Sequence, residues 1–145
     1  MRHFLPLIIA AALLSGCQMA DDGLTTNSAP VPITGPAASA IAGDMASRLA
    51  EQIGQASTTT IKMERDQSEF SIALEAALKG WGYKVVTDGK VRKDAKSVEL
   101  SYSIDGVDGQ VLAQLSIPSI ALSRAYTATT AGATPTSPLS IMQRN

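Results

Sequence analysis

The chain has 145 residues, a formal net charge of −1 and only 4% aromatic side chains. That length allows one small domain with loose ends, whose core must rest on Leu, Ile, Val and Ala. A charge this close to zero gives no electrostatic footprint for nucleic acid, and there is no basic helix to seat the chain on anionic lipid.

Arg2 and His3 open the chain, Phe4 to Leu14 is an apolar run, and Ser15, Gly16 and Cys17 follow. A basic start, about 7–15 apolar residues and a small-residue cut site are the parts of a secretory signal peptide. The run is shorter than the roughly 20 residues that a membrane span needs. Residues 1–16 are therefore expected to be a leader. Leu14-Ser15-Gly16-Cys17 resembles the bacterial lipobox. There the cysteine sulfur takes a diacylglycerol thioether, signal peptidase II cuts between Gly16 and Cys17, and the freed amine is acylated. One acyl chain holds a bilayer only marginally, at roughly 0.8 kcal/mol per buried methylene, whereas three on one residue would make a lasting anchor. The bland alternative is an unmodified Cys17 behind an ordinary leader. It would leave an odd thiol in an exported protein, since Cys17 is the only cysteine. Gln18 follows in place of Asp, which leans towards the outer membrane and its periplasmic face.

Residues 18–38 are rich in Ser, Thr, Ala, Pro and Gly, and Pro30, Pro32 and Pro36 oppose a helix or a central strand. Segment 17–38 thus reads as a lipidated cysteine and a flexible linker. From about Ala40, Ile41, Met45, Leu49 and Ile53 recur every four residues beside Ala42, Ala46 and Ala50. That is the stripe of an amphipathic packing helix ending at Gly54. Thr58 to Met63 is short and β-prone.

Asp66-Gln67-Ser68-Glu69 fits a second helix start, with Asp66 as cap and Glu69 reaching back. Phe70, Ala73, Leu74, Ala77, Leu78 and Trp81 follow at helical spacing, and Gly80 and Gly82 stop the helix. Trp81 reads as a lid on the core in preference to a ligand platform. Tyr83 to Thr87 is a second strand. Lys90, Arg92, Lys93 and Lys96 fall in the loop from Asp88 to Lys96, a solvated turn before a partner contact.

Val98, Leu100, Tyr102 and Ile104 alternate with Glu99, Ser101 and Ser103, the mark of a half-buried strand. Asp105-Gly106-Val107-Asp108-Gly109 supplies a turn. Val111, Ala113, Leu115 and Ile117 make the returning strand, and Pro118 predicts a bulge or edge. Ile120, Leu122, Arg124 and Tyr126 suit a last strand. The Thr/Ala/Pro-rich tail, 128–145, is expected to be extended or disordered alone. The fold class is α+β. Two helices cover a mostly antiparallel sheet of about four or five strands in a single domain, 39–127.

Catalytic chemistry finds little support. The one histidine, His3, lies in the leader, so triads and ordinary zinc sites are out of reach. There is no P-loop and no GxGxxG after a strand. Glu69 and Glu99 are a nominal carboxylate pair for glycoside chemistry, but one reads as a capping residue and the other as an outward strand residue. Asp105 and Asp108 lack the further ligands of a calcium loop. No enzyme activity, cofactor, metal or small-molecule substrate is expected.

Three stretches carry a family likeness: SEFSIALEAALKGWGYKVVTDGK (68–90), SYSIDGVDGQVLAQLS (101–116) and SRAYTATTAGATPTSPLSIMQRN (123–145). They resemble TrbH, the conjugal transfer lipoprotein of Ti-type and related plasmids. The resemblance covers most of the chain beyond the leader and maps the family's lipidated cysteine onto Cys17. It implies a part in mating-pair formation by the Trb type IV secretion apparatus, which carries plasmid DNA between cells. It implies too a structural role, bracing larger channel subunits at the outer membrane. Two rival readings are a free-standing envelope lipoprotein, acting in surface exclusion or envelope stabilisation, and a lipid-tethered periplasmic enzyme.

Overall fold

Thr34 starts the first helix. Its hydroxyl accepts the Ala37 N–H at 3.2 Å, and α1 runs Gly35–Gln52. Pro36 sits in the first turn, where a missing N–H costs nothing and its fixed φ suits the helix. The helix therefore begins before Ala40, and Pro36 opens it where a break was expected. The computed structural model describes residues 33–89 and 96–144. Residues 1–16, Cys17, Gln18, Pro30, Pro32, Lys90, Arg92 and Lys93 lie outside the described residues.

The buried stripe of α1 is Ala37, Ala38, Ile41, Ala42, Met45, Ala46 and Leu49. The helix stops at Ile53, and a 3-10 turn, Ala56–Thr58, delays strand β1 to Thr60–Met63. Helix α2 spans Glu69–Gly80. Its cap is Ser68, not Asp66: the Ser68 hydroxyl accepts the Ser71 N–H at 3.1 Å. Asp66 stands two residues before that cap, and its carboxylate accepts the Ser68 N–H at 2.8 Å. The shorter serine side chain lies directly at the helix mouth, so it takes the orphan amide.

Phe70, Leu74 and Leu78 face the core. The chain leaves the helix through Gly82, whose φ of +96° favours glycine. Trp81 is 53% exposed and is not the expected lid. The helix ends one residue before it, and the core place at this end goes to Tyr83, 5% exposed.

The remaining strands are β2 (Lys84–Val86), β3 (Ser97–Val107), β4 (Gln110–Ser116), β5 (Ile120–Ala128), β6 (Ala133–Pro135) and β7 (Ser140–Gln143). The sheet order is β2-β1-β3-β4-β5-β6, with β7 also on β5. β2, β1 and β3 are parallel and the other pairings antiparallel. The α+β class holds, with seven strands in place of the expected four or five. The tail supplies the two extra ones by pairing with the outer side of β5.

Two turns also differ from expectation. β3 continues to Val107, and the reversal needs only Asp108-Gly109, with φ of +50° and +79°. Two positive φ values match the right-handed twist of a two-residue hairpin. Pro118 sits in the tight turn between β4 and β5, closed by the Ile117 N–H on Ile120 O at 2.9 Å, and makes no bulge.

Both helices pack on one face. That face buries Ile61, Leu100, Val111, Ala113, Leu115, Leu122 and Tyr126. The opposite face carries Lys62, Glu99, Ser101, Ser103 and Gln114, as period-two alternation requires. Among the described residues, no helix is long and apolar enough to cross a membrane.

Candidate functional site

Three polar or half-open features stand out against this frame. The first joins α1 to the tail. Asp44 interrupts the apolar stripe of α1, and Arg124 and Tyr126 point inward from β5. Tyr126 Oη donates to Asp44 Oδ2 at 2.6 Å, and Arg124 NH1 donates to the same oxygen at 2.9 Å. Arg124 Nε donates to Ser137 O at 3.0 Å, and Ser137 Oγ accepts the Ala125 N–H at 2.9 Å. One inward guanidinium thus ties helix, sheet and tail together. Burial, then the Asp44 carboxylate, push the Tyr126 phenol far above its ordinary range.

The second feature lies at the carboxyl ends of β1 and β2. A cleft of about 850 Å³ is lined by Lys62, Arg65, Asp66, Asp88, Glu99 and Tyr102, among others. Behind it, Tyr102 Oη donates to Glu64 O at 2.8 Å and lies 2.8 Å from the Ser71 hydroxyl. The Asp66 N–H donates to Ser71 Oγ at 3.2 Å. The Ser68 hydroxyl, chiefly, holds the Asp66 carboxyl below its usual range. Nearby, Glu75 accepts from Lys79 Nζ at 3.0 Å and from Arg65 NH1 at 3.2 Å. These cations, Lys79 first, depress its carboxyl. Both lowered carboxyls are held as anions by partners within the fold, an arrangement that fixes loops and offers no poised proton.

The third is a shallow apolar groove of about 400 Å³ at the carboxyl end of α1, lined by Ala50, Ile53, Ala56, Trp81 and Tyr83. Tyr83 Oη donates to Gly54 O at 3.0 Å. Burial raises its phenol's proton affinity.

The residues singled out in the sequence are scattered. Glu69 opens α2 in the helical layer, while Glu99 lies on the opposite sheet face, 3.6 Å from Lys62 Nζ; the fold does not bring them together. Asp105 pairs with Leu112 inside the hairpin and Asp108 sits in its turn. Among the described residues, no group of three or more His, Cys, Asp or Glu side chains is placed to hold a metal ion. Gly16 and Cys17 lie outside the described residues. Sequence reasoning passed over Asp44, although a lone acid on an apolar stripe, and an arginine in register with inward Leu122 and Tyr126, were signals of a half-buried pair.

The family model described as "Conjugal transfer protein TrbH" matches residues 19–145. A protein of Sinorhizobium fredii (strain NBRC 101917 / NGR234) named "Probable conjugal transfer protein TrbH" is 73% identical over 148 aligned residues, covering all of both chains. No solved structure matches this chain. The chain belongs to the TrbH family of conjugal transfer proteins.

Proposed function

We propose that this protein is a lipid-anchored structural component of the conjugative type IV secretion apparatus. In this reading the leader is cut before Cys17, and acyl chains on that residue hold the chain in the outer membrane, facing the periplasm. The stretch between Cys17 and α1 then lets the α+β domain stand off the bilayer and brace the larger channel subunits. The observation that carries the reading is Leu14-Ser15-Gly16-Cys17 at the end of an apolar run, in a chain of the conjugal transfer family. A mixed-charge cleft and a largely apolar groove with Glu51 at its rim suit contact with protein better than with nucleic acid.

A donor strain lacking the gene should transfer its plasmid poorly while its envelope keeps detergents out. Wild-type protein should restore transfer, and Cys17→Ala should restore it poorly while losing palmitate label. Normal transfer from the deletion strain would remove the channel role. Poor transfer together with a leaky envelope would favour a general envelope lipoprotein.

A further inference from the structure

All four residues of β7 are exposed, with Ile141 at 45% and Met142 at 63%. Its inner side is fully engaged. The Arg144 N–H donates to Ser119 O at 2.8 Å, and Met142 and Ser140 stand opposite Ala121 and Ser123. Antiparallel bonding alternates, so the peptide groups of Ile141 and Gln143 point away from β5. They form an open edge.

The rest of this edge is guarded. The Thr136 N–H turns inward to Ala125 O, which leaves Pro135 facing outward without an N–H, and Pro138 follows before β7 begins. Outward prolines refuse a further strand. Only 140–144 can accept one, and between Ser140 and Gln143 it carries no charge.

We propose that two copies of this protein pair antiparallel through β7, about a two-fold axis at Met142. In that register Ile141 exchanges both peptide bonds with the partner's Gln143. Met142 faces the partner's Met142 as a close, non-hydrogen-bonded pair. Arg144 faces the partner's Ser140, so no like charges oppose. Each paired set sums to an even residue number, so helix-side faces meet helix-side faces and the two sheets continue as one. Bonding and faces match under any such axis, and it is the uncharged 140–143 run, with each Arg144 opposite a serine and not another arginine, that favours a second copy as the occupant. The pairing goes beyond the anchoring role and does not require it.

Cysteine cross-linking of the full chain in donor cells tests this, with the wild-type chain and its Cys17 as baseline. Met142→Cys should give a disulfide-linked dimer under mild oxidation, and Ile141→Cys should not. Ser140→Cys and Arg144→Cys should cross-link when co-expressed and not when expressed singly. Adding Ile141→Pro, which deletes an outward N–H and spares the β5 ladder, should abolish the Met142→Cys dimer without lowering protein level. A Met142→Cys chain that stays monomeric, one that links to a different protein, or equal cross-linking at Ile141→Cys and Met142→Cys would each overturn the proposal.

Discussion

At the scale of single residues, Asp44 is the side chain whose loss spreads furthest. It neutralises Arg124 and accepts from Tyr126, both largely enclosed. Asp44→Ala leaves a guanidinium and a phenol without their acceptor, and should cost about 2 kcal/mol by chemical denaturation. Ser68→Ala removes the cap of α2 and should cost about 1 kcal/mol. The carboxyls add a pH dependence. Asp66 and Glu75 are held below their ordinary values of 3.8 and 4.5. Their stabilisation is present above those values and is lost as acid protonates them in the folded state, so urea midpoints should fall from about pH 6 to about pH 3. Tyr126 works in the opposite direction. Its neutral form is favoured by folding, so stability should decline once pH rises past the ordinary tyrosine value of 10.0. Absorbance titration should show it ionising last, together with unfolding.

At the scale of elements, the two helices and the β3–β4–β5 meander were legible because their apolar periods are clean. Ile41, Met45 and Leu49 repeat at helical spacing, and Val111, Ala113 and Leu115 at strand spacing. The misreadings share a cause: a local signal gave way to a neighbour in space. Pro36 opens α1 because Thr34 caps it, and Asp66 yields to Ser68, which sits at the helix mouth. Trp81 yields the core to Tyr83 because the helix ends first. The tail becomes strands only because β5 presents bonding groups to it and Arg124 fastens Ser137. Arg124→Met should therefore speed hydrogen exchange across 133–143 more than in β4. Leu74, fully buried on the core face of α2, is the sharpest packing test. Leu74→Ala should cost about 3 kcal/mol, and Leu74→Asp should abolish the folded domain, because an unpaired charge cannot remain there. A soluble, cooperative Leu74→Asp protein would contradict the assigned facing of the helix.

At the scale of the whole molecule, the fold offers a helical layer, a polar outer sheet face, a half-open apolar groove and an open strand edge at β7. Asp66 at the cleft and Glu75 near it are bound to partners within the fold. Family membership was legible from long stretches of sequence such as 68–90 and 123–145, which no period or spacing rule would have interpreted. The half-buried Asp44–Arg124–Tyr126 cluster was not, because its members lie far apart in the chain and meet only when α1 crosses β5. The proposed anchoring role depends on Cys17, a residue whose chemistry would be carried by its immediate neighbours and not by the domain. Mass spectrometry of the amino-terminal peptide of the protein from donor cells is the most direct test. The account predicts a chain that starts at Cys17 and carries a diacylglycerol thioether and an N-acyl group. A bare thiol at Cys17, or residues 1–16 still attached, would contradict it.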